Sequence, residues 1–301
     1  MAERDGTGKN TGRDPDRLAD RIADLTGTEL RNLVELDGGA VGTVYRVDLA
    51  DGSSLVAKTG STKLTVEAGM LRFLAAETKL PVPAVQHAAD DLLVLEYVPG
   101  DREESPAGDG MSPAVERDLA AHVARLHERT VDACGFHFDT LSGLLRQPNP
   151  WVDSWIEFFR EFRLRYVAGQ ARERGRLPPE LYGRVLALCD DLDKLLVEPD
   201  APALLHGDLW TGNLLVRDDR IAAVLDPAIF YGHPEYDLAY ARWTETVGEP
   251  FFQEYRERRD LAPGARERFD VYTIHPVVEH VWHFGESYTE PLGRRLAGLG
   301  Y

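Results

Sequence analysis

The sequence contains little that could crosslink the chain or anchor it in a membrane. Among its 301 residues there are two cysteines, Cys134 and Cys189, and neither belongs to a C-x-x-C or Cys/His motif. Such sparse cysteine favours free thiols in a reducing compartment over a disulfide framework. No apolar run reaches the ~18 residues that a membrane-spanning helix needs. We therefore expect a chain without a membrane span.

Basic side chains are also scarce. The chain has 34 Lys and Arg against 51 Asp and Glu, which gives a net charge of −17. A surface of this sign repels phosphodiester backbones and anionic lipids, so nucleic acid and membrane partners are disfavoured. Residues 1–17 are polar, lack the apolar core of a signal peptide and are expected to form a disordered lead-in. The cytoplasm is the expected location, and the oligomeric state is left open.

Hydrophobic periodicity predicts a small lobe followed by a larger one. Residues 18–97 begin with an amphipathic helix and then predict the order β-β-β-α-β-β. The polar stretch 100–113 is typical of a boundary loop. Beyond it, stripes of aromatic and aliphatic residues, as in 153–169, predict helices packed around a core. We therefore expect an N-lobe at 18–97 and a mostly helical C-lobe at 98–301.

Polar side chains lie at both ends of a predicted hairpin. Two short apolar strands, 213–216 and 221–225, are joined by the turn R-D-D-R. Asp208 and Asn213 lie at the start of the hairpin and Asp226 follows its end, so the three side chains should converge. Neighbouring carboxylates repel each other unless a cation lies between them. Oxygen ligands without nearby Cys or His suit Mg²⁺, with Asn213 and Asp226 as ligands and Asp208 left to accept a proton.

The stretch H-G-D-L-W-T-G-N…L-D-P-A resembles the catalytic loop and metal-binding segment of the protein-kinase-like fold. In that fold H-R-D is followed by four residues, then N, and later D-F-G. Here Gly207 replaces the Arg, and Pro227-Ala228 replaces Phe-Gly. H-G-D with D-P is similar to the small-molecule branch, which includes the aminoglycoside, choline and fructosamine kinases. The resemblance implies ATP and Mg²⁺ as cofactors, Asp208 as the base, and Asn213 and Asp226 as metal ligands.

The resemblance also implies a fold class and the other parts of a nucleotide site. The fold would be α+β and bilobal, with a small antiparallel β N-lobe carrying one main helix and a larger, mostly α-helical C-lobe. The stretch D-G-G-A-V-G-T-V resembles the Gly-rich loop that covers ATP phosphates, with Gly39, Gly42 and Val44 in place. Asp37 stands where the first Gly of that loop is expected. An ordinary Gly-rich hairpin turn is the alternative.

Four further positions are nucleotide-binding candidates by the same resemblance. Lys58 matches the strand lysine that meets the α- and β-phosphates, and Glu67 is the candidate for its helical ion-pair partner. The Glu96 carbonyl and the Val98 N–H match the hinge positions that face the adenine edge. The alternatives are a solvated lysine and a simple core strand.

Longer blocks of the chain resemble the fructosamine (ketosamine) kinase family in particular. They are the loop containing Trp210 and the stretches 135–164, 226–240 and 279–288. The resemblance implies transfer of the γ-phosphoryl group of ATP to the 3-hydroxyl of a ketosamine, in deglycation repair. An aminoglycoside or aminoalcohol kinase and a non-catalytic ATP-binding scaffold are the alternatives. A protein kinase is disfavoured because no A-P-E segment follows Asp226.

Four side chains are candidates for contacts with the acceptor, and three of them have a structural alternative. Trp210 is expected either to stack on the substrate or to pack against its own loop. Gln147 and Asn149 are expected near the acceptor or in a capped turn, and His233 is expected to line the cleft. Separately, Asp237 is expected to brace the catalytic loop or to cap the helix that follows it.

Overall fold

The computed structural model describes residues 15–36, 42–60, 63–102 and 111–301. The chain divides into two compact units. The first extends to Arg72 and includes Pro83–Val98, and the second combines Phe73–Val82 with Pro99–Tyr301. The predicted N-lobe at 18–97 and C-lobe at 98–301 stay predictions.

The first unit is built on a five-stranded antiparallel sheet with the strand order β1-β2-β3-β5-β4. Its elements are α1 (Pro15–Thr26), β1 (Leu30–Leu36), β2 (Gly42–Leu49), β3 (Ser54–Gly60), the first part of α2 (Leu64–Glu77), β4 (Val85–Ala89) and β5 (Leu92–Glu96). Leu18 and Ile22, one turn apart on α1, are buried with Val47 and Ala57 of the sheet. The predicted order β-β-β-α-β-β is confirmed. Because α1 begins at Pro15, the end of the predicted lead-in 1–17 is helical, whereas residues 1–14 lie outside the described residues.

The second unit is mostly helical. Its helices after α2 are α3 (Pro113–His127), α4 (Trp155–Phe159), α5 (Tyr166–Glu173), α6 (Pro179–Leu195), α7 (Glu235–Trp243), α8 (Glu249–Arg258), α9 (Ala265–Tyr272), α10 (Ile274–Phe284) and α11 (Thr289–Gly298). Its strands are β6 (Asp101–Arg102), β7 (Thr140–Ser142), β8 (Leu145–Gln147), β9 (Ala203–Leu205), β10 (Leu214–Arg217), β11 (Arg220–Val224) and β12 (Phe230–Gly232). The α+β expectation agrees with this content.

The predicted hairpin is present as β10 and β11. The two strands are antiparallel, and Leu214 faces Val224 across the pair. At the turn, Asp218 and Asp219 adopt φ values of 54° and 57°. Positive φ at both central residues defines the turn that matches the twist of a two-residue hairpin, and Asp tolerates it. The turn pairs Arg217 with Arg220, and a register shift between Leu215 and Val216 then gives the pairing that brings the two ends of the hairpin together.

The aromatic helix predicted at 153–169 is interrupted in the structure. Between α4 and α5, residues Arg160–Arg165 form a π-helical segment. The wider turn changes the helical phase and places Arg163 inside, where it is 0% exposed. Its guanidinium donates to the carbonyl oxygen of Pro148 at 3.0 Å, and burial lowers the pKa of Arg163 to about 10. The sequence pattern did not indicate this buried cation.

Candidate active site

The catalytic loop is held by a close backbone approach at Gly207. Gly207 has a φ of +83°, and a Cβ at this position would lie 2.3 Å from the carbonyl oxygen of Ala228. The backbone N–H of Ala228 donates to the carbonyl oxygen of His206 at 2.9 Å. A side chain at 207 would separate these two backbone segments. The glycine of H-G-D is therefore a requirement of the contact with D-P-A.

Asp237 braces the same loop from α7. Its carboxylate accepts hydrogen bonds from the backbone N–H of His206 at 2.7 Å and of Gly207 at 2.9 Å. His127 holds the other side, with Nε2 3.3 Å from Asp237 Oδ2 and Nδ1 2.8 Å from the hydroxyl of Tyr255. Of the two expectations for Asp237, the brace is confirmed. The buried N–H groups of His206 and Gly207 and the Asp237 carboxylate therefore all have hydrogen-bond partners.

Asp208, the predicted base, is held by a partner from within the same unit. The Asn213 amide nitrogen donates to both the carbonyl oxygen and Oδ2 of Asp208, at 2.9 Å each. Burial, reinforced by the negative charges of Glu279 and Asp226, raises the pKa of Asp208 to about 7. A carboxylate with a pKa near neutrality is well matched to accept a proton from a hydroxyl. Sequence reasoning missed the effect of Glu279, because this residue lies far along the chain.

Asn213 and Asp226, the predicted magnesium ligands, lie at the two ends of the hairpin. The backbone N–H of Leu225 donates to the carbonyl oxygen of Asn213 at 2.8 Å, so the next residue, Asp226, emerges beside Asn213. Asp226 is exposed and has a φ of 47°. Because the Asn213 amide nitrogen is engaged with Asp208, its amide oxygen is the atom that could act as a ligand.

The donor set suits a hard cation that shares its ligands with a substrate. In the part of the chain that the structure describes, no three His, Cys, Asp or Glu side chains cluster as a metal site. Zinc would require such a cluster, whereas Mg²⁺ is commonly held by one or two carboxylates together with substrate phosphates and water. An amide oxygen and a carboxylate therefore fit Mg²⁺.

The first unit contains the predicted lysine–glutamate pair. Lys58 Nζ on β3 lies 2.8 Å from Glu67 Oε2 on α2, and Lys58 is only 8% exposed. A buried lysine is stable when a carboxylate neutralises it. The pairing expected from the sequence is present, and the contact of Lys58 with phosphate stays a prediction.

Of the candidates for the Gly-rich loop, the structure describes Gly42 and Val44. Gly42 faces Gly60 across β2 and β3, and a Cβ at Gly42 would lie 2.2 Å from the carbonyl oxygen of Thr59. Val44 faces Lys58 in the same strand pair. Gly39 lies outside the described residues, as does Asp37.

The hinge candidates lie at the end of the sheet. Glu96 ends β5, and its backbone N–H donates to the carbonyl oxygen of Ala84 at 2.8 Å. This bond does not test adenine binding, so contacts of the Glu96 carbonyl and the Val98 N–H with adenine stay predictions.

Trp210 packs on one side and is exposed on the other. A Cβ at Gly212 would lie 2.2 Å from the indole ring, so the ring lies directly over this glycine. The residue is nevertheless 42% exposed. Packing against the loop and availability for stacking are therefore compatible, because Gly212 supports one part of the ring and solvent reaches another.

The other acceptor candidates are interior groups. Asn149 is 3% exposed; its amide donates to Thr140 Oγ1 at 2.8 Å and accepts from Arg163 at 2.6 Å. His233 Nδ1 accepts the backbone N–H of Glu235 at 3.1 Å, and burial lowers the pKa of His233 to about 3. Gln147 donates to the carbonyl oxygen of Ala228 at 3.4 Å. This geometry favours structural roles, since buried groups bonded within the protein have few atoms left for a ligand.

Comparison with known proteins assigns the family. The family model described as fructosamine kinase matches residues 17–298. The chain belongs to the fructosamine kinase family. A relative from Synechocystis, named probable ketoamine kinase slr1563, is 34% identical over 182 residues, covering 59% of this chain and 60% of that protein. The resemblance read from the sequence is thereby confirmed.

Solved structures agree with the fructosamine kinase assignment. A crystal structure from Thermobifida fusca, assigned as a fructosamine-3-kinase, has a TM-score of 0.83 and 30% identity, and the match covers 96% of this chain and 100% of that one. The macrolide 2′-phosphotransferase MphH from Brachybacterium faecium has a TM-score of 0.64 at 22% identity over 93% of this chain and 97% of that one, which confirms the expected kinase-like fold. Among the described residues, no helix combines the length and apolarity needed to cross a bilayer.

Proposed function

We propose that the protein transfers the γ-phosphoryl group of ATP to the 3-hydroxyl of a ketosamine, with Mg²⁺ as cofactor. The observation that carries the proposal is the setting of Asp208, a partly buried carboxylate fixed by Asn213, with a pKa raised to about 7. Membership of the fructosamine kinase family supports the choice of acceptor. Protein folds of this kind host several acceptors, so the site rather than the fold must select one.

The reaction requires little covalent chemistry from the protein. The sugar hydroxyl oxygen attacks the γ-phosphorus, the bond to the β–γ bridging oxygen breaks, ADP departs, and the hydroxyl proton moves to the Asp208 carboxylate. Mg²⁺, when bound, neutralises charge on the ATP phosphates. Asn213 and Asp226 would hold the ion, and Asn213 also orients Asp208 through its amide nitrogen. Lys58, paired with Glu67, would bind the phosphates.

The biological role follows from the product. A ketosamine phosphorylated at its 3-hydroxyl is unstable and releases the amine, so the role we propose is deglycation repair. We place it in the cytoplasm, a reducing compartment in which the free cysteines Cys134 and Cys189 would stay reduced. Burial raises the pKa of each thiol to about 12, which makes both unreactive structural groups.

Coupled ATP turnover tests the proposal. The wild-type protein and Asp208→Asn are assayed with fructosyl-lysine, choline and an aminoglycoside, and nucleotide binding is measured separately for both proteins. We expect turnover with fructosyl-lysine above both other acceptors, and a loss of about 10²-fold or more in Asp208→Asn with nucleotide affinity retained. Turnover no higher than with choline or the aminoglycoside would overturn the acceptor. ATP binding without transfer to any acceptor would favour a scaffold.

A further inference from the structure

Helix α7 holds the catalytic loop on both sides of the base. Near its start, Asp237 accepts the backbone N–H groups of the two residues that precede Asp208. Just beyond its end, the side chain of Thr246 accepts the backbone N–H of Thr211, with 3.0 Å between Thr211 N and Thr246 Oγ1. Asp208 and Trp210 lie between these two attachments. Thr246 therefore holds a part of the loop that Asp237 does not contact.

The end of α7 fixes the position of Thr246. The backbone N–H of Thr246 donates to the carbonyl oxygen of Ala241 at 3.0 Å, and the N–H of Glu245 donates to that of Arg242 at 3.1 Å. Glu245 has a φ of 56°. These two bonds with a left-handed residue form the Schellman motif, which satisfies the last carbonyl groups of a helix. Thr246 is therefore a part of the helix end.

The two threonine hydroxyls at this helix end form a directed chain. Thr244 Oγ1 lies 2.9 Å from Thr246 Oγ1 and 3.1 Å from the carbonyl oxygen of Tyr240. A hydroxyl has one proton to donate, and a carbonyl can only accept. Thr244 therefore donates to the helix carbonyl, and Thr246 donates to Thr244 and accepts the N–H of Thr211. Thr246 is 1% exposed, so water has little access to this chain.

The chain ends on the peptide group that joins Trp210 to Thr211. The N–H of this peptide is bonded to Thr246, and its carbonyl oxygen accepts the backbone N–H of Asn213 at 2.9 Å. Because both polar groups are bonded, the peptide plane cannot rotate without breaking a hydrogen bond. Such a rotation would change the ψ of Trp210, which is 164°, and would move its ring away from Gly212. The Thr246 hydroxyl thus helps to determine where the indole ring lies.

The base has a restraint of its own. Asp208 Oδ2 accepts a hydrogen bond from the Asn213 amide nitrogen at 2.9 Å, and this bond does not involve Thr246. Loss of the Thr246 hydroxyl should therefore release the ring of Trp210 and leave Asp208 in place. Since the Trp210 side chain is exposed and lies two residues from the base, its position bears on the acceptor more than on the chemical step.

We propose that Thr246 is a positioning residue for acceptor binding. Its hydroxyl holds the Trp210 ring in the position that stacks on the sugar of the ketosamine. This inference rests on the proposed function and on the stacking expected of Trp210, and it names the residue that sets the affinity for the acceptor. Thr246 contacts neither acceptor nor nucleotide in this scheme and acts through the loop.

Steady-state kinetics with fructosyl-lysine and with ATP test the role of Thr246. Thr246→Val keeps the shape of the side chain and removes the hydroxyl, whereas Thr246→Ser keeps the hydroxyl. The matched control is Thr78→Val at the end of α2. Thr78 Oγ1 also donates to a helix carbonyl, that of Leu74 at 2.6 Å, and accepts the N–H of Leu80 at 3.1 Å. Melting temperatures are recorded for every variant.

The expected result is a change in KM without a change in kcat. Thr246→Val should raise KM for fructosyl-lysine about 5-fold, with kcat and the KM for ATP within about 2-fold of the wild type. Thr246→Ser should restore the wild-type KM, and Thr78→Val should lower the melting temperature alone. A purely structural role would predict the same KM in all variants. An unchanged KM in Thr246→Val, or an equal rise in Thr78→Val, would overturn the proposal.

A double variant tests whether Thr246 acts through Trp210. In a Trp210→Ala background, Thr246→Val should no longer alter KM for fructosyl-lysine, because the ring that it positions is absent. A rise of the same size in that background would overturn the proposed route and leave the proposed function standing. If the wild type does not turn over fructosyl-lysine at all, both the proposed function and this inference are wrong.

Thr211→Pro provides a second route if Thr246→Val does not fold. It removes the N–H donor instead of its acceptor. Proline is tolerated at the start of the short helical turn Thr211–Asn213, and the extended backbone of Trp210, with φ of −143°, is the conformation that a following proline requires. We expect the same rise in KM for fructosyl-lysine. A wild-type KM in this variant would overturn the proposal.

Discussion

A Cβ on Gly207 would lie 2.3 Å from the carbonyl oxygen of Ala228, closer than any real contact allows. The φ of +83° adds a second penalty for any other residue. We therefore expect Gly207→Ala to lower the free energy of unfolding by about 2 kcal/mol and to reduce turnover strongly, because the shift carries Asp208 with it. The matched control is Gly183→Ala on α6, where no atom lies within 4 Å of the added methyl. Denaturant melts and kcat measure both effects, and wild-type activity in Gly207→Ala would contradict this account of the loop.

Asp226 is expected to determine the magnesium requirement. Asp226→Asn keeps a residue that tolerates a φ of 47° but removes the negative charge. We expect activity at saturating ATP to fall at least about 10-fold, with partial recovery at high Mg²⁺. Asp218→Asn is the control, since Asp218 has a φ of 54° in the hairpin turn and no assigned role. A magnesium titration equal to that of the wild type would exclude Asp226 as a ligand.

Lys58 and Glu67 should act as one unit toward ATP. Lys58→Met removes the ammonium that lies 2.8 Å from Glu67, and we expect kcat/KM for ATP to fall about 10²-fold. In Glu67→Gln, kcat/KM for ATP should fall less. The double variant should resemble Lys58→Met, because both changes remove the same interaction. Lys79→Met, on an exposed lysine, is the control. Additive losses in the double variant would show that the pair does not act together.

Buried histidines should make the protein acid-sensitive. Burial lowers the pKa of His233 to about 3 and that of His275 to about 4, below the ordinary value near 6.5. The unfolded chain therefore takes up these protons first, so stability is complete above pH ~6.5 and declines as the pH falls toward the folded-state values. At pH 5 each histidine should lower the free energy of unfolding by about 2 kcal/mol.

The acid-stability prediction is tested with His233→Asn, whose amide oxygen can accept the same N–H. Unfolding free energies at pH 7.5 and pH 5 should differ by less in this variant than in the wild type. His137→Asn, at an exposed histidine, should leave the difference unchanged. A wild-type protein equally stable at both pH values would refute the prediction.

Local patterns were sufficient for the parts of the site that lie close together in the chain. The R-D-D-R turn between two apolar strands predicted the hairpin, and the hairpin brought Asn213 and Asp226 together. Lys58 and Glu67 were paired through the resemblance to the kinase-like fold, and the structure contains the pair. These features depend on short-range geometry, which a pattern of residue types determines directly.

Other features depended on packing between distant segments. The strand pair β9–β12 has three residues in each strand, too few for an alternating pattern to stand out. The π-helical segment changes the phase of an otherwise regular aromatic stripe and buries Arg163. Asn149 and His233, whose contacts with the acceptor stay predictions, are hydrogen-bonded within the protein. No periodicity distinguishes a polar side chain that meets a ligand from one that meets another buried group.

The sequence by itself determined the order of the elements and the chemistry of the catalytic loop, because turn preferences and residue spacing are local properties. The tertiary structure alone decided that Asp237 braces the loop and that the negative charge of Glu279 helps to raise the pKa of Asp208. These residues come from helices α7 and α10, and their positions depend on how the helices pack. The pKa of Asp208 follows from that packing, since burial and neighbouring charge depend on residues far away along the chain.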